Sequence, residues 1–231
     1  MKKTIILLLL SFYGWAQHRN EGKITYSTFL NESRATEELK KESLWQYQYE
    51  LNKLEMAKNF EFELHFKDNY SCFKIKEKMT GDHIDKDDYT MMSWQFYGEI
   101  VYFTNKNKGV CYEIGYFNTE DEYLINHYSE DFTWELSNET KLISGYKCYK
   151  ATTEWRFNAR GKDQKYKVVA WYCPEIPISF CPNKYPDLPG LVLELSETSR
   201  TWIVNKIELN TKSALDETQI AKLEKAVKRS K

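Results

Sequence analysis

The chain has 231 residues, with 33 basic against 34 acidic side chains and a formal net charge of −1. No basic block interrupts that balance, so nucleic acid and anionic membrane surfaces are not expected partners. A chain of this length can bury roughly 70% of its unfolded surface, enough for one core. Its 17 Tyr, 12 Phe and 7 Trp fall mostly in alternating runs, where they favour strands. An aromatic-lined cleft is the sharper alternative.

Residues 1–16 read as a signal peptide. Lys2 and Lys3 form a basic start, Ile5 to Leu10 an apolar stretch, and Gly14-Trp15-Ala16 a small-residue cleavage site. The apolar stretch is too short to span a membrane. No cysteine directly follows the cut, so no stable membrane anchor is expected. Residues 17–210 then read as one β domain and residues 211–231 as a C-terminal helix.

Ile24 to Leu30 is a first strand. Over 35–58, Leu44, Tyr47, Leu51 and Leu54 follow helical spacing, which predicts a helix inserted after that strand. Phe60 to Phe66 alternates with period two, Lys67-Asp68-Asn69 is a turn, and Tyr70 to Lys76 returns as a partner strand. Residues 77–93, with Asp82, Asp85, Asp87 and Asp88, do not follow a calcium-loop pattern and read as a solvated loop. Residues 96–104 and 109–117 form the next hairpin. Further strands follow at Glu122–His127 and Phe132–Leu136, then a long hairpin of Lys141–Trp155 with Lys165–Tyr172. Leu191–Glu197 and Thr201–Leu209 complete the set. Ser213, with Asp216 three residues on, reads as the cap of a terminal helix striped by Leu215, Ile220, Leu223 and Val227. The succession predicts a mostly β fold: a single curved antiparallel sheet or an open, bowl-like barrel.

All five prolines fall between residues 174 and 189. Each fixes φ and removes a donor, so this segment is a stiff track. Ile176, Ile178, Phe180, Tyr185 and Leu188 give it apolar surface to bury. Leu188-Pro189-Gly190-Leu191 carries the signature of a type II turn, with φ > 0 at Gly190 and both leucines tucked inward. The segment is either a binding surface or a clasp that closes the sheet. As a surface, the segment and its neighbouring aromatics comprise Trp171, Tyr172, Pro177, Phe180, Tyr185, Leu188, Pro189 and Gly190.

The five cysteines are Cys72, Cys111, Cys148, Cys173 and Cys181. In an exported protein they are disulfide candidates. Cys173–Cys181 is the expected bridge and requires a bend between Ile176 and Phe180. Cys148–Cys173 across the hairpin is its rival. A Cys–His nucleophile pair, from Cys173 or Cys181 with His65 or His127, is the main enzymatic alternative. The sequence holds no recognised catalytic motif, metal-ligand spacing or nucleotide-binding loop, so no catalytic residue, metal or cofactor is assigned.

Several stretches together resemble the GLPGLI family of exported Bacteroidota proteins. They are Gly145 to Ala151, Val169-Ala170-Trp171-Tyr172, Pro174 to Phe180, and Leu188-Pro189-Gly190-Leu191-Val192-Leu193-Glu194. Gly22 to Tyr26 and Phe132-Thr133-Trp134 fit it too. Two positions depart from its pattern: Asp187 replaces the first glycine of the signature, and Cys181 replaces the glycine of Phe-Gly-Pro. The resemblance implies a strongly curved antiparallel sheet, similar to the bowl-like domain preceding the catalytic part of some bacterial peptide N-glycosidases. It also implies a gene setting near outer-membrane TonB-dependent receptors, and it brings no catalytic residues. The combined expectation is a periplasmic or secreted, non-enzymatic binding or assembly module. Its partner would be an outer-membrane receptor, another envelope protein, or a glycan or peptide. A hydrolase in the sheet concavity and a carrier of an apolar ligand are the alternatives. Intact-mass measurement of the exported protein is expected to show a chain beginning at Gln17. A mass that retains residues 1–16 would overturn the signal-peptide reading.

Overall fold

A computed structural model describes residues 20–31, 34–76, 100–117, 121–159 and 161–229. The signal segment and the acidic stretch at 77–93 lie outside the described residues. The strands are β1 (Glu21–Leu30), β2 (Glu61–Lys67), β3 (Tyr70–Ile75), β4 (Val101–Asn105), β5 (Val110–Phe117) and β6 (Asp121–Tyr128). They continue with β7 (Glu135–Ile143), β8 (Tyr146–Ala159), β9 (Lys162–Cys173), β10 (Leu191–Ser196) and β11 (Arg200–Leu209). The helices among the described residues are α1 (Glu37–Glu42), α2 (Leu44–Ala57) and α3 (Glu217–Arg229).

All eleven strands join one sheet in the order β6-β5-β4-β3-β2-β1-β11-β10-β9-β8-β7. Every neighbouring pair is antiparallel. Two meandering wings, β1 to β6 and β7 to β11, meet along the β1–β11 pair. The edge strands β6 and β7 are consecutive in the chain, yet they do not pair. The fold is therefore mostly β, with one open sheet, an inserted helical stretch and a C-terminal helix.

Local chemistry sets the turns. Lys67 pairs with Tyr70 across Asp68 and Asn69, and Asp68 adopts φ 53°, a value Asp tolerates. The pattern over Lys141–Trp155 predicts one strand, but the chain turns back at Ser144 and Gly145. Their φ values of 52° and 84° fit the two-residue hairpin turn whose central residues both take φ > 0. Ile143 pairs directly with Tyr146 across it. The expected single helix over 35–58 is two helices divided at Ser43. That residue donates its N–H to Leu39 O at 2.7 Å and accepts from Gln46 N on its hydroxyl at 3.3 Å. It thus closes one helix and caps the next. The cap of α3 is Asp216, not Ser213: Asp216 Oδ1 accepts from Gln219 N at 2.9 Å, while Ser213 Oγ accepts from Leu215 N.

Strand alternation sends two sets of side chains to opposite faces. Cys72, Phe103, Val110, Tyr112 and Ile114 form the smaller cluster on the outer face, under Leu215 and beside Ile220 and Leu223 of the C-terminal segment. Glu224 of α3 accepts from Asn105 Nδ2 at 3.2 Å, which pins the helix there. The inner face carries Ile24, Tyr26, Phe62, Leu64, Phe66, Phe73, Tyr102, Ala151, Val168, Ala170, Leu195 and Trp202. Ile176, Phe180, Cys181, Tyr185 and Leu188 of the proline segment join this cluster.

At the end of that segment Gly190 has φ 145°, in a region open essentially to glycine alone. The positive φ agrees with the sequence reading, but the turn type differs. Gly190 N donates to Leu188 O at 2.7 Å, a tight three-residue turn around Pro189. Leu188 and Leu191 are buried, as expected. A Cβ on Gly190 would lie 2.2 Å from Cys173 O and 2.8 Å from Pro174 Cα. Gly190→Ala is therefore expected to destabilise the fold by more than the ~1–3 kcal/mol of backbone strain alone. Urea titration checks this, and an unchanged midpoint would contradict it.

Candidate functional site

The proline segment is folded into the sheet's inner face. Phe180 packs on Phe66 of β2, with ring centroids 6.1 Å apart. Lys106, in the turn after β4, lies 3.8 Å from the centroid of the Phe180 ring and pairs with Asp187 at 3.1 Å. Cys111 of β5 points its thiol at Asn183 O, 3.8 Å away. Lys184 Nζ sits 3.3 Å from the centroid of Trp155 on β8. One short segment touches strands of both wings only because the sheet curls around it.

A buried polar cluster fixes it in place. Glu197, after β10, accepts from Tyr185 OH at 2.6 Å and from Asn183 Nδ2 at 3.1 Å. Arg200 Nε lies 3.4 Å from the same carboxylate. Burial pushes the Lys184 ammonium below its ordinary pKa, while Glu197 and Glu113 hold it up. Asp187, whose side chain is 40% exposed, has its carboxyl raised by desolvation against the pull of Lys106.

Tyr185 also anchors the seam of the sheet. Residues 129–134 cross from β6 to β7, and Phe132 and Trp134 both pack edge-on against Tyr185, at 5.4 and 6.2 Å. Trp134 Nε1 donates to Pro186 O at 3.2 Å. Above this crossing lies an open cleft of about 830 Å³. His127 of β6, Asp131 and Thr133 of the crossing, Glu135 of β7, Thr152 to Arg156 of β8 and Lys167 of β9 line it. Polar and charged groups dominate, and Trp155 supplies an aromatic wall. This seam cleft is the candidate functional site. Sequence reasoning missed it, because its lining comes from four strands and the crossing between two of them, with no shared motif. A smaller cleft of about 420 Å³ opens between Leu136, Lys147, Tyr149, Tyr172, Pro174 and Glu175.

The residues singled out in the proline segment separate accordingly. Phe180, Tyr185, Leu188 and Gly190 are buried, whereas Pro177 and Pro189 are exposed. Tyr172 lines the smaller cleft. Trp171 faces outward beneath Lys141, whose ammonium is 4.5 Å from its ring centroid. These side chains therefore do not form one exposed aromatic surface.

All five cysteines are free and buried, in place of the expected Cys173–Cys181 bridge. The expected bend is present but is held by backbone: Ile178 N donates to Ile176 O at 2.8 Å and Leu191 N to the same oxygen at 3.0 Å. It carries Cys181 inward, toward Tyr26, Cys111 and Asp187. The sheet does assemble one cysteine, histidine and carboxylate: Cys111 stands directly opposite His127, and His127 Nε2 is 2.8 Å from Glu113 Oε2. The thiol, however, is buried and turned toward Asn183, and burial pushes its pKa up to about 12. A nucleophile needs the thiolate, so this group is a packed thiol and not an activated one. His65 pairs with Glu63 at 3.0 Å on the opposite face, and burial lowers its pKa. Among the described residues no cluster of His, Cys, Asp and Glu is arranged to hold a metal ion, and no helix is long and apolar enough to cross a membrane.

Comparison with known proteins adds a family match over a short stretch and a similarity of fold. Residues 156–194 match a family described as "Protein of unknown function (Porph_ging)". That stretch runs from the end of β8 through β9 and the proline segment into β10. No curated protein matches the chain. Two solved structures of PNGF-II are similar to it, each with a TM-score of 0.50. The one in space group C2 is 12% identical over 87% of this chain and 29% of its own. The one in P21 is 11% identical over 91% of this chain and 34% of its own. The chain thus spans about a third of PNGF-II or less, and identity this low speaks to the fold alone.

Replacing Tyr185 by Phe keeps the ring contacts and removes the hydroxyl from Glu197. A buried acceptor that loses a donor costs about 1–3 kcal/mol. Tyr185→Phe is expected to lower the unfolding free energy from urea titration by that amount, and wild-type stability would show that the carboxylate does not depend on this bond.

Proposed function

We propose that this protein is an exported, non-enzymatic binding module of the GLPGLI type that holds a polar, extended ligand in the seam cleft. The observation that carries this reading is the contrast between two spaces. The inner concavity, where an apolar ligand would lodge, is occupied by Phe180, Cys181, Tyr185 and Leu188. The seam cleft is open and lined by carboxylates, hydroxyls, His127, Arg156 and Lys167 around Trp155. An aromatic side chain, one face of which is covered by Lys184, beside many hydrogen-bonding groups suits a sugar, whose C–H groups meet the ring while its hydroxyls pair with the polar side chains. A glycan is therefore the favoured ligand class, with an extended peptide as the second reading.

The GLPGLI assignment rests on Ala170-Trp171-Tyr172 and Leu188-Pro189-Gly190-Leu191, both inside the matched residues 156–194. An envelope location and service to an outer-membrane TonB-dependent receptor follow from that assignment and from the signal-like start of the chain. Isothermal titration against a panel of oligosaccharides and unstructured peptides tests the proposal. Saturable binding to a glycan is expected, weakened about tenfold or more, equivalent to ~1.4 kcal/mol, by Trp155→Ala and by Lys167→Ala. Binding that is unchanged in both variants would remove the seam cleft as the site. Binding to peptides alone would replace the glycan reading with the peptide one.

A further inference from the structure

We propose that Cys148 and Cys173 are a built cross-strand pair that closes into a disulfide when the chain folds under oxidising conditions. The argument is one of register. Strands β8 and β9 pair without a slip from Ala159↔Lys162 to Tyr149↔Tyr172. One further step sets Cys148 opposite Cys173, each the next residue of its own strand. Residues directly opposite in an antiparallel pair share a face, with Cα atoms about 4.5–5.5 Å apart. A disulfide requires Cα atoms at about 4.4–6.8 Å. Continued by one step, the register therefore brings the two residues within the span a disulfide needs.

The other thiols stand elsewhere. Cys181 is carried inward by the turn at Pro177, toward Tyr26 and Cys111. Cys72 and Cys111 occupy opposite faces, because Cys72 pairs with Phe103 while Cys111 pairs with Thr104. Cys173 also anchors the start of the proline segment: its carbonyl accepts from Ile176 N at 3.2 Å and lies against Gly190. A bridge to Cys148 would tie that departure point to β8 as well as to β10.

Closure belongs to the folding chain. Both residues have no exposed surface, and burial first, then the neighbouring Cys173, pushes the Cys148 thiol up to about 11. In the unfolded chain a Cys thiolate attacks an oxidising disulfide and forms a mixed disulfide. The second cysteine then displaces the remaining thiol. The two electrons pass to the oxidant, which leaves as two thiols carrying the two protons. Once folded, the new bond is sealed from reductant.

The test is independent of where the protein resides and of what it binds. The full chain, reduced and unfolded in urea, is refolded in a buffer of reduced and oxidised glutathione, quenched with acid and digested without reductant. The expected product is a peptide pair joining Cys148 to Cys173. A Cys173–Cys181 linkage would overturn the proposal. So would alkylation of both Cys148 and Cys173 in urea without reductant. In the wild type, reduction is expected to lower the urea midpoint. In Cys148→Ala and Cys173→Ala the remaining partner is expected to alkylate in urea without reductant. Because the peptide map is read on the wild type, a variant that fails to fold leaves the decision intact.

Discussion

An eleven-stranded sheet that curls without closing encloses more space than its own side chains can fill. Barrels of about eight strands are just filled by inward-facing residues; a wider curl needs an insert. The proline segment is that insert here. Phe180, Cys181, Tyr185 and Leu188 sit among Tyr26, Phe66 and Phe73 as part of one core. Close packing in such a core penalises any void, so the curvature of the sheet and the path of the segment depend on each other. The prolines suit this role because a pre-stiffened chain has less conformational freedom to lose on ordering.

The insert brings polar backbone and charged side chains into the interior, and each requires a partner there. Glu197 gathers Tyr185, Asn183 and Arg200. Lys184 lies over Trp155, and Lys106 over Phe180. Buried ion pairs add little net stability but are costly to break. Their effect here is placement: they fix which residue of the segment meets which strand. Tyr185 joins the insert to the β6–β7 crossing through Phe132 and Trp134. The floor of the seam cleft is thus part of the same packed unit.

The same geometry separates the roles first grouped in the proline segment. Its apolar residues turn inward, and the accessible groups stand at the seam. A thiol enzyme loses its footing for the same reason: Cys111 comes beside His127 and Glu113, but the packing that unites them keeps the sulfur protonated.

Local pattern in the sequence determined most of the elements. Alternation over Phe60–Phe66, the Asp68-Asn69 turn and the stiff segment with its obligatory Gly190 are short-range properties, set by the pleat, by tolerance of φ > 0 and by the proline ring. The break at Ser43 and the hairpin at Ser144-Gly145 were also written there, as a capping serine and a turn dipeptide, but helical and strand periodicity ran across both. Tertiary structure alone decided the rest. Which cysteine faces which depends on register and on the turn at Pro177. Whether Phe180 lies inside or outside depends on the curl of the sheet. The seam cleft joins His127 to Lys167 because the short crossing 129–134 keeps β6 beside β7 while β8 and β9 fold back against β7, and no local sequence signal encodes which side chains of those strands then face one space.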